Sequence, residues 1–455
     1  LPATPIWFVR PDAYETVLAE IGPLAAGFAK ASGFEPKPGR LQLLPAEDGG
    51  LAGVLFGDDP AEPLGAGKLA TSLPPGVYRF ANPAPALSEL AFHMASYRFD
   101  RFKSAPRAAP TLENPNATLL AEAQAVAWGR DLVNLPANVL TPSALEKAAT
   151  DLGLAHGAEV RVITGDALAR DFPLVATVGA AAAEPPRLVD FTHGPADAPK
   201  VTLVGKGVVF DTGGLDIKPP SGMEIMKKDM GGAAAALTLA RLVLEARLPV
   251  RLRVIVPIVE NAISGPAMRP GDIYRSRRGL SVEIGNTDAE GRLILADALT
   301  LGAEEAPDLM FDFATLTGAA RVALGPDLPP FYTDDDALAA EIAAQAQATR
   351  DPLWRLPLWR PYDSMLESPI ADLNNAPGSP FAGSITAALF LKRFAEGAKA
   401  WAHFDIYAWN SKARSTGPQG GEVQAARALF ALLAARFPAV CGKSRFGAEL
   451  TLGES

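Results

Sequence analysis

Six β-prone runs, at residues 160–164, 187–191, 201–210, 252–259, 309–313 and 401–406, punctuate most of this chain. Ala/Leu-rich helical stretches at 232–247 and 292–305 lie between several of them, and another follows at 423–437. Strands that are apolar nearly throughout must be covered on both faces, and covering helices are what the alternation supplies. The pattern predicts an α/β region, an α/β/α sandwich around a mixed, mostly parallel sheet, with ligands outside the carboxyl ends of the strands.

At 455 residues the chain exceeds one ordinary core. Residues 104–116 hold three prolines in thirteen positions, a composition that neither continues a helix nor joins a central strand. We therefore expect a small N-terminal α/β domain at 1–103, with runs at 5–9 and 51–56 and a helix at 87–102. A linker at 104–116 and a catalytic domain at 117–455 follow, the latter opening on a helix at 117–135 that ends before Pro136. Apolar residues make up 48% and charged residues 20%, a folded composition. No run reaches the roughly 18 apolar residues of a membrane helix, and the first residues lack the pattern of a secretory leader, so no membrane partner is expected. The single cysteine, Cys441, allows neither an internal disulfide nor a thiolate zinc cage, which points to a cytoplasmic location.

The residues that demand chemistry are carboxylates. In VTLVGKGVVFDTGGLDIKPPSGMEIMKKDMGG, the run ending at Phe210 delivers Asp211 to a strand's carboxyl end beside Gly213 and Gly214, with Lys206, Lys218 and Asp229 in the same segment. In GNTDAEGRL, Asp288 and Glu290 project to one side of an extended backbone, and Gly291 turns the chain into a helix carrying Arg292. Four acids in one pocket cannot all stay ionised without cations. Two divalent ions restore the balance and supply metal-assisted hydrolysis, with a hydroxide held between them. Lys218 and Arg292 offer positive charge to an oxyanionic transition state. Lys206 ligates only after losing its proton.

Each piece has a plainer reading. Asp-x-Glu before a helix is commonly a cap. Gly213 and Gly214 form turns in many loops, Lys227 and Lys228 read as a solvated pair, and His403 as a hydrogen-bonded core residue. The conjunction of two long motifs, both beside strands, outweighs these separate readings. No phosphate-binding loop, dinucleotide fingerprint, Gly-x-Ser-x-Gly elbow or His-Glu-x-x-His pair occurs.

VGKGVVFDTGGLDIKP, MKKDMGGAAA and NTDAEGRLILADAL resemble the leucyl (cytosol) aminopeptidase family, as do the flanking RDLVNLPANVLTP, ATLTGA and AGSITAALFL. The resemblance implies a metallo-aminopeptidase that hydrolyses the N-terminal bond of peptides with a free α-amine. It implies that Lys206, Asp211, Asp229 and Glu290 ligate one ion and Asp211, Asp288 and Glu290 the other, the ions being zinc or manganese. Lys218 would polarise the scissile carbonyl and Arg292 hold a bicarbonate that acts as general base. The same resemblance implies a homohexamer. It places Met226, Thr315, Leu316 and Gly318 around the first side-chain pocket, opposite Tyr407 and Asn410. Where the family continues with alanine after Ile406, this chain has Tyr407, whose ring either fills that pocket or swings aside to offer a hydrogen bond.

Two rival readings share parts of this pattern. A two-metal phosphoesterase also gathers acids with Lys and Arg. A non-catalytic DNA-binding scaffold is known within the family, but 42 Lys and Arg against 51 Asp and Glu leave a net charge of −9, which disfavours nucleic-acid partners.

Overall fold

The computed structural model describes residues 2–105 and 108–439, so Cys441 lies outside the described residues. The chain divides into two compact units, Leu1–Ala127 with Lys412–Gln419, and Trp128–Ser411 with Gly420–Ser455.

In the smaller unit, Thr4–Val9 is the central strand, parallel to Leu51–Gly57 on one side and to Val77–Phe80 on the other. Leu41–Pro45 adds antiparallel to Leu51–Gly57. Period-two alternation splits the strand's side chains between two cores. Ile6 and Phe8 pack with Leu69, Tyr78 and Phe92, while Val9 packs with Val17, Leu18 and Leu55. The helix expected at 87–102 runs only over Ser88–Ala95. It stops because Ser96 Oγ donates back to Phe92 O, and Arg98 Nη1 donates to the Ala95 and Tyr97 carbonyls, satisfying the acceptors a further turn would have used.

The larger unit is built on a mixed sheet. Trp401–Asp405, Leu309–Ala314, Lys200–Gly205 and Arg251–Asn261 are neighbours in that order and mutually parallel. Arg187–His193 and then Glu159–Thr164 extend one side antiparallel, and Pro330–Tyr332 pairs antiparallel at the other. The four parallel strands are almost wholly buried, as strands covered on both faces must be. Gly231–Glu245 and Glu290–Ala303 supply cover and are themselves buried along their whole lengths. No helix among the described residues is long and apolar enough to cross a membrane.

Three sequence readings gain detail. The run at 201–210 is two strands, Lys200–Gly205 and Gly207–Asp211. At the break, Lys206 N still donates to Phe313 O of the neighbouring strand, but Lys206 O accepts from Ala233 N of the helix Gly231–Glu245, so the carbonyl alone leaves the ladder. The last helix covers Ala426–Arg436 rather than 423–437, because Asp351 accepts from the backbone of Ala425, Arg427 and Ala428 and caps it from elsewhere in the chain. His403 is fully buried with Nδ1 2.6 Å from Asp312 Oδ1, the hydrogen-bonded core histidine expected.

Asp297, midway along Glu290–Ala303, ties this helix to two other segments. Its Oδ2 accepts from Leu174 N at 2.8 Å and Val175 N at 3.3 Å, and its Oδ1 from Arg277 N at 2.7 Å. An amide would turn an N–H against one of these donors. Asp297→Asn is expected to destabilise the protein by about 2–3 kcal/mol, read as a lower denaturation midpoint in guanidinium; an unshifted midpoint would contradict this account.

Candidate metal centre

Two loops converge on one acidic site, one leaving the strand Gly207–Asp211 and the other following the short strand Ser281–Glu283 of a separate three-stranded sheet. Asp211 ends the strand Gly207–Asp211, Asp229 lies in the short 3-10 helix Met226–Met230, and Glu290 opens the helix Glu290–Ala303. All three are buried, and Asp288 is partly so. Oxygens of Asp211, Asp288 and Glu290 lie within 4.8 Å of one another. Asp229 joins them through Lys206, whose Nζ is 2.8 Å from both Asp229 Oδ2 and Glu290 Oε1. Lys218 Nζ pairs with Asp211 Oδ2 at 2.8 Å and, more closely, with Asp288 Oδ1.

Four acids against two ammonium groups leave two negative charges in a low-dielectric site. Burial, with Asp229 adding to it, pushes Asp211 up to about 6, and burial with Asp211 pushes Glu290 up to about 7. Burial and Glu290 raise Asp288 as well. Burial opposes the Lys206 charge, but Asp229, Glu290 and Asp211 outweigh it and hold the ammonium protonated. Asp229 Oδ2, Asp288 Oδ1 and Glu290 Oε1 accept no properly angled hydrogen bond, although each has an ammonium nearby. Buried carboxylate oxygens that converge with surplus negative charge and unfilled lone pairs fit a divalent cation.

The two motifs are latched together by residues that the sequence reading passed over. Thr287 Oγ1 donates to Gly213 O at 2.6 Å and accepts from Asp216 N, while Asp216 Oδ2 accepts from Thr287 N. Asn261 Nδ2 donates to Asp211 Oδ1 at 2.8 Å. Asn375, wholly buried, accepts from Gly285 N and Asn286 N and donates to the Asn286 and Ala289 carbonyls, cradling the loop that presents Asp288. Thr287 and Asp216 alone among these carried a signal, by lying inside the two singled-out motifs. Gly213 adopts φ +89°, and a Cβ there would stand 2.6 Å from Asp216 O. A Cβ on Gly291 would stand 2.6 Å from Lys206 Cε. Glycine at these two positions is what lets the chains approach.

Arg292 is buried, its Nη1 donating to Asn375 O at 2.6 Å while Nε has no partner. Burial pulls it down to about 10. Thr315 Oγ1 donates to Asp229 Oδ1 at 2.8 Å, and Leu316 N donates to Asp405 Oδ1. Met226 is buried at the start of its 3-10 helix, and Gly318 opens the helix Gly318–Leu324. Asn410 is buried with Nδ2 on Glu422 Oε2 at 2.9 Å, and Glu422 in turn pairs with Arg130. Lys228 departs from the solvated pair expected at 227–228: it is 1% exposed, and burial pushes it down to about 7. Its ammonium lies 4.7 Å from the centre of the half-buried Tyr407 ring.

Comparison with known proteins matches residues 127–430 to the catalytic domain of the cytosol aminopeptidase family and residues 4–115 to the N-terminal domain of M17 aminopeptidases. A "Probable cytosol aminopeptidase" of Syntrophotalea carbinolica is 42% identical over 363 residues, 75% of this chain and 73% of that protein. The crystal structure of the cytosol aminopeptidase from Coxiella burnetii superposes with a TM-score of 0.92 at 42% identity, covering 96% of this chain and 98% of that one. The bottromycin maturation enzyme BotP, solved in complex with Mn, gives a TM-score of 0.84 at 33% identity, covering 96% and 100% of the two chains.

If Thr287 holds the two motifs in register, Thr287→Ala should weaken manganese binding by about 10- to 100-fold, the usual penalty for losing a group that orients metal ligands. Titration against a competing chelator measures this, and unchanged affinity would remove Thr287 from the site.

Proposed function

The chain belongs to the cytosol aminopeptidase family, and from that premise we propose how its residues divide the work of hydrolysis. Membership makes it a leucyl-aminopeptidase-like hydrolase, a metal-dependent exopeptidase acting at peptide N-termini. The convergence of Asp211, Asp288 and Glu290, with Lys206 spanning Glu290 and Asp229, is the observation that carries the finer reading. These five residues would hold two divalent ions, zinc or manganese. Two such ions acidify a water between them and polarise a carbonyl. With the acids so engaged, the Lys206 amine would be free to give up its proton and serve as a nitrogen ligand.

Asp229 gives the free α-amine of the substrate its negative counterpart, which confines attack to the first peptide bond. Lys218, paired here with Asp211 and Asp288, would direct its ammonium to the developing oxyanion. Arg292, buried and fixed by Asn375 O, keeps an unpartnered Nε for an anion such as bicarbonate, which would take the proton from the attacking water. Met226, Thr315, Leu316 and Gly318 receive the first side chain. We extend the family reading to peptide substrates and a cytoplasmic homohexamer.

Dialysis against a chelator should abolish hydrolysis of leucine p-nitroanilide, and zinc or manganese should restore it. N-acetylation of the substrate should abolish it as well, and p-nitrophenyl phosphate should not turn over. Activity in a preparation shown to be free of metal would defeat the reading, as would equal rates on free and acetylated amines.

Lys218→Ala should lower kcat by about 10²–10³-fold, the magnitude for one oxyanion donor, with metal content retained. Loss of the ions in that variant would instead make Lys218 a ligand.

A further inference from the structure

Two basic groups beside the metal centre, Lys228 and Arg321, form no ion pair among the described residues. Lys206 and Lys218 each pair with two carboxylates, and Lys227 donates to Asn134 O at 2.7 Å. Arg321 Nη1 reaches the Thr317 carbonyl at 3.3 Å. Its guanidinium carbon lies 4.9 Å from the centre of the Tyr407 ring, the same ring that Lys228 approaches to 4.7 Å.

The acids that bear on Lys228, Asp229 and Asp405, are already engaged, Asp229 by Lys206 and Thr315. Asp405 accepts from Leu316 N, Thr317 N, Thr317 Oγ1 and Ser384 Oγ. An aromatic face attracts a cation, but it replaces only part of the hydration that a buried ammonium gives up. Two such cations against one ring define a place where an anion is missing.

The place belongs to the substrate side of the fold. Lys228 adjoins Asp229, and Thr315, which donates to Asp229, stands three residues ahead of the helix position Gly318. Arg321 rises from that helix, and a Cβ on Gly318 would stand 3.6 Å from its Nη2. Tyr407 leaves the carboxyl end of the adjacent parallel strand Trp401–Asp405 and lines a narrow concavity together with Arg321 and Thr317. The tyrosine that replaces the family's alanine thus lies against two cations, and the concavity it lines holds Arg321 together with the already engaged Asp405.

We propose that Lys228, Arg321 and Tyr407 form a subsite for a carboxylate of the peptide substrate. The inference rests on the aminopeptidase reading of the neighbouring metal centre. Such a carboxylate has two sources, the side chain of an N-terminal Glu or Asp and the C-terminus of a dipeptide.

Four substrates separate them on the manganese-loaded enzyme. Glutamyl against glutaminyl p-nitroanilide differs by the side-chain charge alone, and Leu-Gly against Leu-Gly amide by the terminal charge alone. One of the two kcat/KM ratios should exceed about tenfold, the scale on which a site built for one polar group rejects its neutral analogue. A high first ratio assigns the side chain and a high second ratio the C-terminus. Arg321→Met and Lys228→Met should each bring the elevated ratio close to one. Arg321, being half-buried, carries the test if the Lys228 variant does not fold. Both ratios near one in the unmodified enzyme would overturn the proposal, as would an elevated ratio that Arg321→Met leaves unchanged. No hydrolysis of any of the four would sink the aminopeptidase reading itself, and the subsite with it.

Discussion

The concentration of like charge at one point is the constraint around which the larger unit is organised. Asp211, Asp229, Asp288 and Glu290 are brought together from segments far apart in the chain, and nothing about their mutual repulsion favours the folded state. The fold tolerates them because Lys206 and Lys218 are interleaved between them and because buried apolar strands and helices carry the assembly. Packing therefore sustains the site, which itself opposes folding until cations arrive.

That division of labour explains the local irregularities. A strand that continued through position 206 would keep its ladder bonds and point the lysine along the pleat. The break turns Lys206 O to Ala233 N of the covering helix while Lys206 N keeps its bond to Phe313 O, and the side chain lies between Asp229 and Glu290. Glu290 and Arg292 stand at the start of a helix that Asp297 pins to two other segments, so the motif is presented from a rigid element rather than a free loop.

The parts of this architecture that were legible in the sequence are those written in local pattern. Apolar runs marked the central strands, buried helices showed as Ala/Leu stretches, and the acids announced themselves by clustering in two motifs. What escaped notice is long-range and polar. Asn375 cradles the 285–289 loop from about ninety positions away, and Asp351 caps a helix whose start the pattern placed three residues early. Lys228 looked like half of a solvated pair, since adjacent lysines alternate in exposure only once the chain is folded around one of them. None of these has a periodicity to betray it, because a single side chain meeting a remote backbone leaves no repeat in the sequence.

The near-contact between Gly291 and Lys206 has a consequence for how this site can drift over time. A single carbon added at position 291 would fall 2.7 Å from Lys206 Nζ, so the glycine acts as a steric gauge on the lysine across the pocket. A larger residue at 291 would push the end of the Lys206 side chain, and with it the amine, away from Asp229 and Glu290. Substitution at 291 thus acts on the site through a lysine that belongs to a different segment of the chain.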